Sequence, residues 1–264
     1  MALLATHSMS VTFGGLRAVH DAEIAVPEGS LVGLIGPNGA GKTSFIDGIT
    51  GFVPTAGQIL FDGREIGGMS PHKRAGLGLG RTWQSLELFD DLTIEENLQV
   101  AAERPSVSGF LLDIVAPRRR RSTEAVDFAL DVLGIRHLAH RMPSEISHGQ
   151  RELVSVARAL AARPKLVCMD EPAAGLDSRE SALLGRRLRD IIDTGISILL
   201  VDHDMGLVLK ICDYIYVIDF GVQLAEGTPA EIKTNQLVVD AYLGTGNHGD
   251  GVVDARNADR ERPR

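Results

Sequence analysis

The 264-residue sequence predicts an α/β fold with an antiparallel β portion near the N-terminus and an α-helical subdomain inserted into the core. Three observations predict it. The apolar run "SLVGLIG" leads straight into a glycine-rich turn, the pattern of a buried central strand feeding a loop and a helix. From Leu92 to Ala162 the pattern turns helical, with apolar residues three and four apart. Strand-like runs then return at "LVCMD", "ISILLVD" and "YIYVID", separated by helical stretches, which is the alternation of a mostly parallel sheet.

Along the chain, "MSVTF" and "AEIAV" carry strand patterns ahead of the central strand. "QILFDGREI" places Asp62-Gly63 between two extended segments, a hairpin signal. In "MSPHKRAGLG" a short helix is expected to start at Ser70-Pro71 and to stop at Gly76. "TIEENLQVAAE" opens with a capping box of Thr93 and Glu96, and "STEAVDFALDVLG" and "GQRELVSVARALAA" continue the helical stretch. "GTPAEIKT" is a further capped helix start, with Thr228 at the cap, Pro229 first and Glu231 third. The expected organisation is one domain over 1–244, its core made by 1–88 and 160–244 around a helical subdomain at 89–159, and then a flexible polar tail at 245–264.

Composition narrows the function classes. The chain carries 35 acidic and 27 basic residues, a formal net charge of -8, so it lacks the electrostatic footprint of a general nucleic-acid binder. Its two cysteines, Cys168 and Cys212, lie inside apolar runs and read as small buried hydrophobes of a reducing compartment. The N-terminus has no basic region followed by a long apolar stretch, and the longest apolar runs fall well short of the ~20 residues that cross a bilayer. A cytosolic chain is expected, with any membrane attachment made through a partner.

"GPNGAGKTS" fits the phosphate-loop pattern G-x-x-x-x-G-K-[ST] and stands between an expected strand and an expected helix. In Gly36, Pro37, Asn38, Gly39, Ala40, Gly41, Lys42, Thr43 and Ser44 the glycines let backbone N–H groups face phosphates, Lys42 reaches the outer phosphates, and the Thr43 hydroxyl is placed for magnesium. "KLVCMDEP" ends a strand on Asp170 and Glu171, adjacent carboxylates that can serve a metal and an attacking water separately. A guanine-reading N-K-x-D sequence is absent. In "SEISHGQRELVSVARAL", Ser147 and Gln150 have capping-box spacing, with Leu153, Val156, Ala157 and Leu160 on one apolar face. On this pattern alone the segment is a well-capped helix whose polar N-terminus suits an anion.

Taken together, "ISHGQ" ahead of its helix, the phosphate loop, "CMDEP" and a histidine after the next strand resemble the ATP-binding subunits of ABC transporters, from about Ser10 to Leu243. The resemblance implies an α/β P-loop NTPase core, the ABC ATPase fold, that uses ATP and Mg²⁺. It implies two subunits stacked head to tail, each signature segment holding the γ-phosphate bound to the other. By it, Phe13 is the aromatic that stacks on adenine, a core strand phenylalanine being the alternative. Gln84 meets magnesium or the attacking water, and Ser147, Gly149 and Gln150 form the signature. Asp170 assists magnesium, Glu171 is the general base, Asp177 belongs to the loop crossing the dimer, and His203 is the switch histidine. His148 stands where the common signature has glycine, and reads as a solvated or dimer-facing residue.

"FGGLRAV", "GRTWQSLELFDDLTIEENL", "DEPAAGLD", "DHDM" and "IYVIDFGVQLAEGTPAEI" with "AYLG" resemble the larger ATPase subunit of branched-chain amino acid uptake systems, a group that includes urea and amide importers. The implied partners are a second ABC ATPase subunit (a paralogue or another copy of this chain), integral membrane permease subunits and, indirectly, an extracytoplasmic solute-binding protein, at the cytoplasmic face of the inner or plasma membrane. Phe110 to Val115 and Arg118 to Arg121 either pack and solvate within the helical lobe or meet lipid or permease. The alternatives are a permease-free soluble ABC ATPase of translation or DNA repair and the ATPase of a lipid or lipopolysaccharide exporter.

Overall fold

The computed structural model describes residues 2–82, 88–103 and 119–244. Gln84, the segment Phe110–Val115, the side chains of the Arg118–Arg121 run and the tail 245–264 lie outside the described residues.

The chain opens with β1 (Ala2–Phe13), β2 (Leu16–Ala22) and β3 (Ala25–Pro27), both later strands pairing antiparallel with β1. β1 extends well before the expected "MSVTF". Of "AEIAV", only Ala25 and Val26 enter β3. The Thr6 hydroxyl donates to Ala22 O at 3.0 Å and accepts from Ile24 N at 2.9 Å, which holds the intervening corner. β2 was not expected, because only Val19 and Ala22 in it are fully buried, too few for a periodicity to show.

β4 (Leu31–Ile35) is buried throughout and leads through the phosphate loop into α1 (Lys42–Thr50). β5 (Thr55–Phe61) pairs antiparallel with β1 and turns through Asp62-Gly63 into β6 (Arg64–Glu65). Both turn residues have positive φ, 51° and 70°, as the tight two-residue hairpin requires. α2 (Pro71–Leu77) stops two residues later than expected. Gly78, at φ 106°, is the left-handed C-cap, while Gly76 stays within the helix. Without the backbone angles, either glycine could have been the stop.

Arg74 fixes this corner. Its guanidinium is buried and donates to the carbonyls of Met69, Gly48, Ile49 and Gly67 at 2.7–2.9 Å. At the end of α1 it satisfies Ile49 O and adds a second donor to Gly48 O, which also accepts from Gly51 N, and burial holds its pKa below the usual value.

β7 (Leu79–Arg81) is followed by the helices α3 (Ile94–Ala102), α4 (Arg119–Val132) and α5 (His148–Ala161), which pack on one another. Then come β8 (Leu166–Asp170), α6 (Ser178–Asp193), β9 (Ser197–Val201), α7 (Met205–Ile211), β10 (Tyr214–Asp219), β11 (Val222–Gly227), α8 (Pro229–Thr234) and α9 (Gln236–Gly244). The strands form one sheet in the order β6-β5-β1-β2-β11-β10-β4-β9-β8-β7, with β3 against β1. From β10 to β7 every pairing is parallel.

Strand alternation divides the core in two. Leu31, Ile35, Val167, Met169, Ile198, Leu200, Ile215 and Val217 face α3–α7. Val32, Leu34, Cys168, Leu199, Val201, Tyr216 and Ile218 face α1 and the antiparallel strands through Phe45, Ile46, Met9 and Phe61. The period of two sends Asp170, like Cys168, to the α1 side. Both cysteines are free and buried, and burial raises both thiol pKa values, that of Cys168 to about 12. Among the described residues no helix is long and apolar enough to cross a membrane.

Candidate active site

The phosphate loop depends on glycine where backbone crowds it. A Cβ on Gly36 would strike the Ile218 carbonyl, and one on Gly41, at φ 101°, would strike the Ala18 carbonyl. Gly39, at φ 80°, faces open space, so it serves the turn conformation alone. Pro37 is half-buried, Asn38 is exposed and Ala40 is buried. Ala40 O accepts from Gly221 N at 2.8 Å, which ties the loop to the β10–β11 turn. Gly41 caps α1 without a side-chain hydrogen bond, leaving the helix N-terminal amides without a capping side chain.

Lys42 is buried to 5% exposure and its Nζ donates to Gly36 O at 2.8 Å and Pro37 O at 3.0 Å. Burial lowers its pKa, and the charges of Glu171, Asp170 and Asp202 oppose that shift. Thr43 is exposed and Ser44 half-buried at the start of the helix.

Asp170 ends β8 with both carboxylate oxygens buried and neither in a hydrogen bond of normal geometry. Burial raises its pKa, and the Arg81 guanidinium, 3.7 Å away, and the Thr43 hydroxyl oppose that shift. Arg81 offsets part of the cost of burying this carboxylate, whose unfilled acceptor positions suit a further cation. Asp170 and the facing Thr43 hydroxyl are oxygen donors of the kind that would suit Mg²⁺. Among the described residues no cluster of three or more His, Cys, Asp or Glu could hold a metal by itself.

Glu171 leaves the strand with φ 52°, a left-handed conformation that costs a non-glycine residue about 1–3 kcal/mol. Its N–H still donates to Val201 O at 2.7 Å, continuing the β8–β9 ladder. The turn brings its carboxylate beside His203, whose Nδ1 lies 3.6 Å from Oε1. Adjacent β9 carries His203 out of the sheet beside Asp202, which is fully buried and accepts from Asp204 N at 2.9 Å and Ala173 N at 3.3 Å. Burial raises the Asp202 pKa, and these two amides partly offset the shift.

Phe13 ends β1 and is 47% exposed, so the core-phenylalanine alternative is excluded. Ser147 caps α5 as expected: its Oγ accepts from Gln150 N at 3.2 Å and Gln150 Oε1 accepts from Ser147 N at 2.9 Å. Gly149 is buried, and a Cβ there would lie 2.5 Å from Glu180 Oε1. Asp177 is the N-cap of α6, accepting from Arg179 N and Glu180 N, both at 2.8 Å. The fold therefore brings the phosphate loop, Asp170, Glu171 and His203 together. Ser147, Gly149 and Gln150 stand in a second group beside the start of α6.

Sequence reasoning missed several neighbours. Arg81 joins Asp47 at 2.5 Å to Asp170, connecting α1, β7 and β8, and no local pattern marks a lone arginine at a short strand's end. Asp202 carries the one readable signal among these neighbours, an aspartate ending the apolar run "ISILLVD". The Tyr242 hydroxyl lies against the backbone of Gly36, its pKa pushed up to about 12 by burial. Glu152, one turn below His148, is buried and pushed up to about 7.

The family described as "ABC transporter" matches residues 19–174, and the family described as "Branched-chain amino acid ATP-binding cassette transporter" matches 223–248. The high-affinity branched-chain amino acid transport ATP-binding protein BraF of Pseudomonas aeruginosa is 40% identical over 252 residues, covering 92% of this chain and 98% of that protein. LivG of Escherichia coli K12, of the same description, is 37% identical over 249 residues, covering 92% and 98%. Among solved structures, the ADP conformation of an ATP-binding cassette of an ABC transporter superposes with a TM-score of 0.82 at 29% identity, covering 92% of this chain and 99% of the other. A nucleotide-free cassette superposes with a TM-score of 0.81 at 31% identity and the same coverage. A phosphate loop, a carboxylate pair and a histidine on neighbouring parallel strands, with these likenesses along nearly the whole chain, place the protein in the ABC transporter family, as an ATP-binding protein of the branched-chain amino acid type.

Proposed function

We propose that this ATPase powers uptake of branched-chain or related amino acids through a separate membrane permease, with Glu171 as the general base of ATP hydrolysis. The observation that carries the reading is the different surroundings of Asp170 and Glu171 at the end of β8: one carboxylate is buried on the α1 side, the other lies beside His203. Glu171 accepts the proton of a water attacking the γ-phosphate, and His203 contacts that phosphate and positions the carboxylate. Lys42 and the amides of Gly36 to Ser44 hold the outer phosphates, and Phe13 stacks on adenine. Thr43 and Asp170, with Gln84 by its place in the motif, would hold Mg²⁺, which would supply neutralisation of charge on the phosphates. Ser147, Gly149 and Gln150 hold the γ-phosphate of a second ATPase subunit, and Asp177 starts the helix behind the loop that meets that subunit.

The division into a core of 1–88 and 160–244 with a helical subdomain at 89–159 suits this reading, because a helical part can follow the permease while the core holds nucleotide. Its last boundary falls within α5, so that one continuous helix spans both parts. The chain is proposed to sit at the cytoplasmic face of the membrane through the permease. The likeness to BraF and LivG supports import over the permease-free and exporter alternatives.

The test is to recover the tagged chain from gently solubilised membranes of its own cell and identify what accompanies it. Two multi-spanning subunits and a second ATPase are expected. Recovery only from the soluble fraction, or with ribosomes or DNA, would overturn the importer reading.

A further inference from the structure

His148 makes a contact that its expected solvated or dimer-facing role does not include. Its side chain is half exposed, yet Nε2 lies 3.2 Å from the Ala174 carbonyl, in the loop that follows Glu171 within the same chain. The same nitrogen lies 3.2 Å from where a Cβ on Gly175 would sit. Gly175 has φ 76°, so backbone and ring approach closely at a turn that favours glycine. One residue along, Gly149 leaves room for the Glu180 carboxylate, which lies where its Cβ would approach within 2.5 Å.

Glu180 is itself committed. Its Oε2 accepts from Asp177 N at 3.3 Å while Asp177 Oδ1 accepts from Glu180 N at 2.8 Å. At the other end of the loop, Ala174 N donates to Glu171 O at 3.1 Å and Ala173 N to Asp202 Oδ2 at 3.3 Å. The loop between Glu171 and Asp177 is thus fastened to its own two ends, and the start of α5 holds it from the side.

We propose that His148 is a positioning residue that couples the two half-sites carried by one subunit. The hydrogen bond from His148 Nε2–H to Ala174 O makes the Ser147–Gln150 segment move with the loop that leaves Glu171. This rests on the reading that Ser147 to Gln150 serve the nucleotide of the partner subunit and Glu171 that of its own. When α5 closes on the partner's γ-phosphate, the Ala174 carbonyl follows, and the Glu171 loop of the same subunit settles. Hydrolysis in one site thereby depends on occupancy of the other. Glu152, the carboxyl beneath, has Oε1 4.0 Å from the same Nε2 and limits the directions in which the ring can swing.

Two variants separate the hydrogen bond from the ring. His148→Phe keeps an aromatic ring and removes the donor, whereas His148→Gln keeps a donor at about the reach of Nε2. In the purified chain, amide exchange over Ala173 to Asp177 should rise about fivefold in His148→Phe, the value of one neutral hydrogen bond, and stay at the wild-type rate in His148→Gln. Affinity for a fluorescent ATP analogue should be unchanged in both, because Lys42 and its loop are untouched. In the assembled transporter, His148→Phe should lower turnover about fivefold and bring the Hill coefficient for ATP towards one, with His148→Gln restoring both. Unchanged exchange in His148→Phe, loosening in His148→Gln as large as in His148→Phe, or loosening without loss of turnover would each overturn the coupling. A wild-type chain that binds no nucleotide would sink the ATPase reading itself, and the exchange comparison would still decide whether His148 holds the loop.

Discussion

The starts of α1 and α5 are both glycine-containing helix N-termini, without an acidic residue in their first turns. They are built in opposite ways. α1 is capped by Gly41 in a left-handed conformation with no side-chain hydrogen bond, so its amides are left for a ligand. α5 has a complete capping box, with Ser147 and Gln150 satisfying each other. By the proposed function the first is an anion site that one chain makes from its own backbone amides and Lys42. The second is already satisfied as an ordinary helix, and by the proposed function it meets a phosphate only when another subunit presents one. Substitutions in the first group should therefore act on the isolated chain, and those in the second on the assembled pair.

The largest expected effect is at Glu171, which serves the first site without binding its phosphate. Glu171→Gln should lower turnover by roughly 10²–10⁴-fold, the span of a general base, while ATP affinity holds and the paired subunits persist on size exclusion with ATP. Retained turnover would remove Glu171 from that role.

Lys42→Ala should weaken ATP binding to the isolated chain by about ten- to a hundredfold, the value of a lost charge-assisted contact. Calorimetry on the chain without partners measures it, and unchanged affinity would break the comparison at its first half.

Glu152 tests how far the start of α5 is kept free of negative charge. Its pKa rises from 4.5 to about 7, through burial, against a smaller lowering from His148. The folded state therefore holds this proton more tightly than the unfolded chain. The stability so gained is complete below about pH 4.5 and is lost as pH rises to about 7. Glu152→Gln should abolish this component, on the order of 3 kcal/mol at most. Denaturant unfolding at pH 5 and pH 8 should then show a smaller difference for the variant than for the wild type.

The smallest effect is at the cap. Ser147→Ala should cost about 1 kcal/mol in thermal stability and leave nucleotide affinity of the isolated chain unchanged, with turnover of the assembled pair reduced. Loss of affinity in the chain alone would place Ser147 in the first site and dissolve the distinction.

Much of this was legible in local pattern. The buried run of β4, the hairpin at Asp62-Gly63 and the capping boxes at Thr93, Ser147 and Thr228 arise from residues within a few positions of one another. Their spacing alone implies the geometry. The stop of α2 was misplaced by two residues because choosing between Gly76 and Gly78 needs backbone angles. β2 and the short β7 were not marked, since neither has enough buried apolar residues to set a period. Gln84, named from its motif, lies outside the described residues.

Local pattern was enough for the phosphate loop, the return of parallel strands after the helical stretch, the two carboxylates at the end of β8 and the family these imply. Each of these is written in contiguous residues, where composition and spacing act directly on the backbone. Folding alone reveals that Glu171 lies beside His203, that Arg81 stands between Asp47 and Asp170, that Arg74 closes the end of α1, and that His148 reaches Ala174. These contacts join positions distant in sequence. Their partners are chosen by which elements the sheet and its two buried faces bring together, and no local preference encodes that choice.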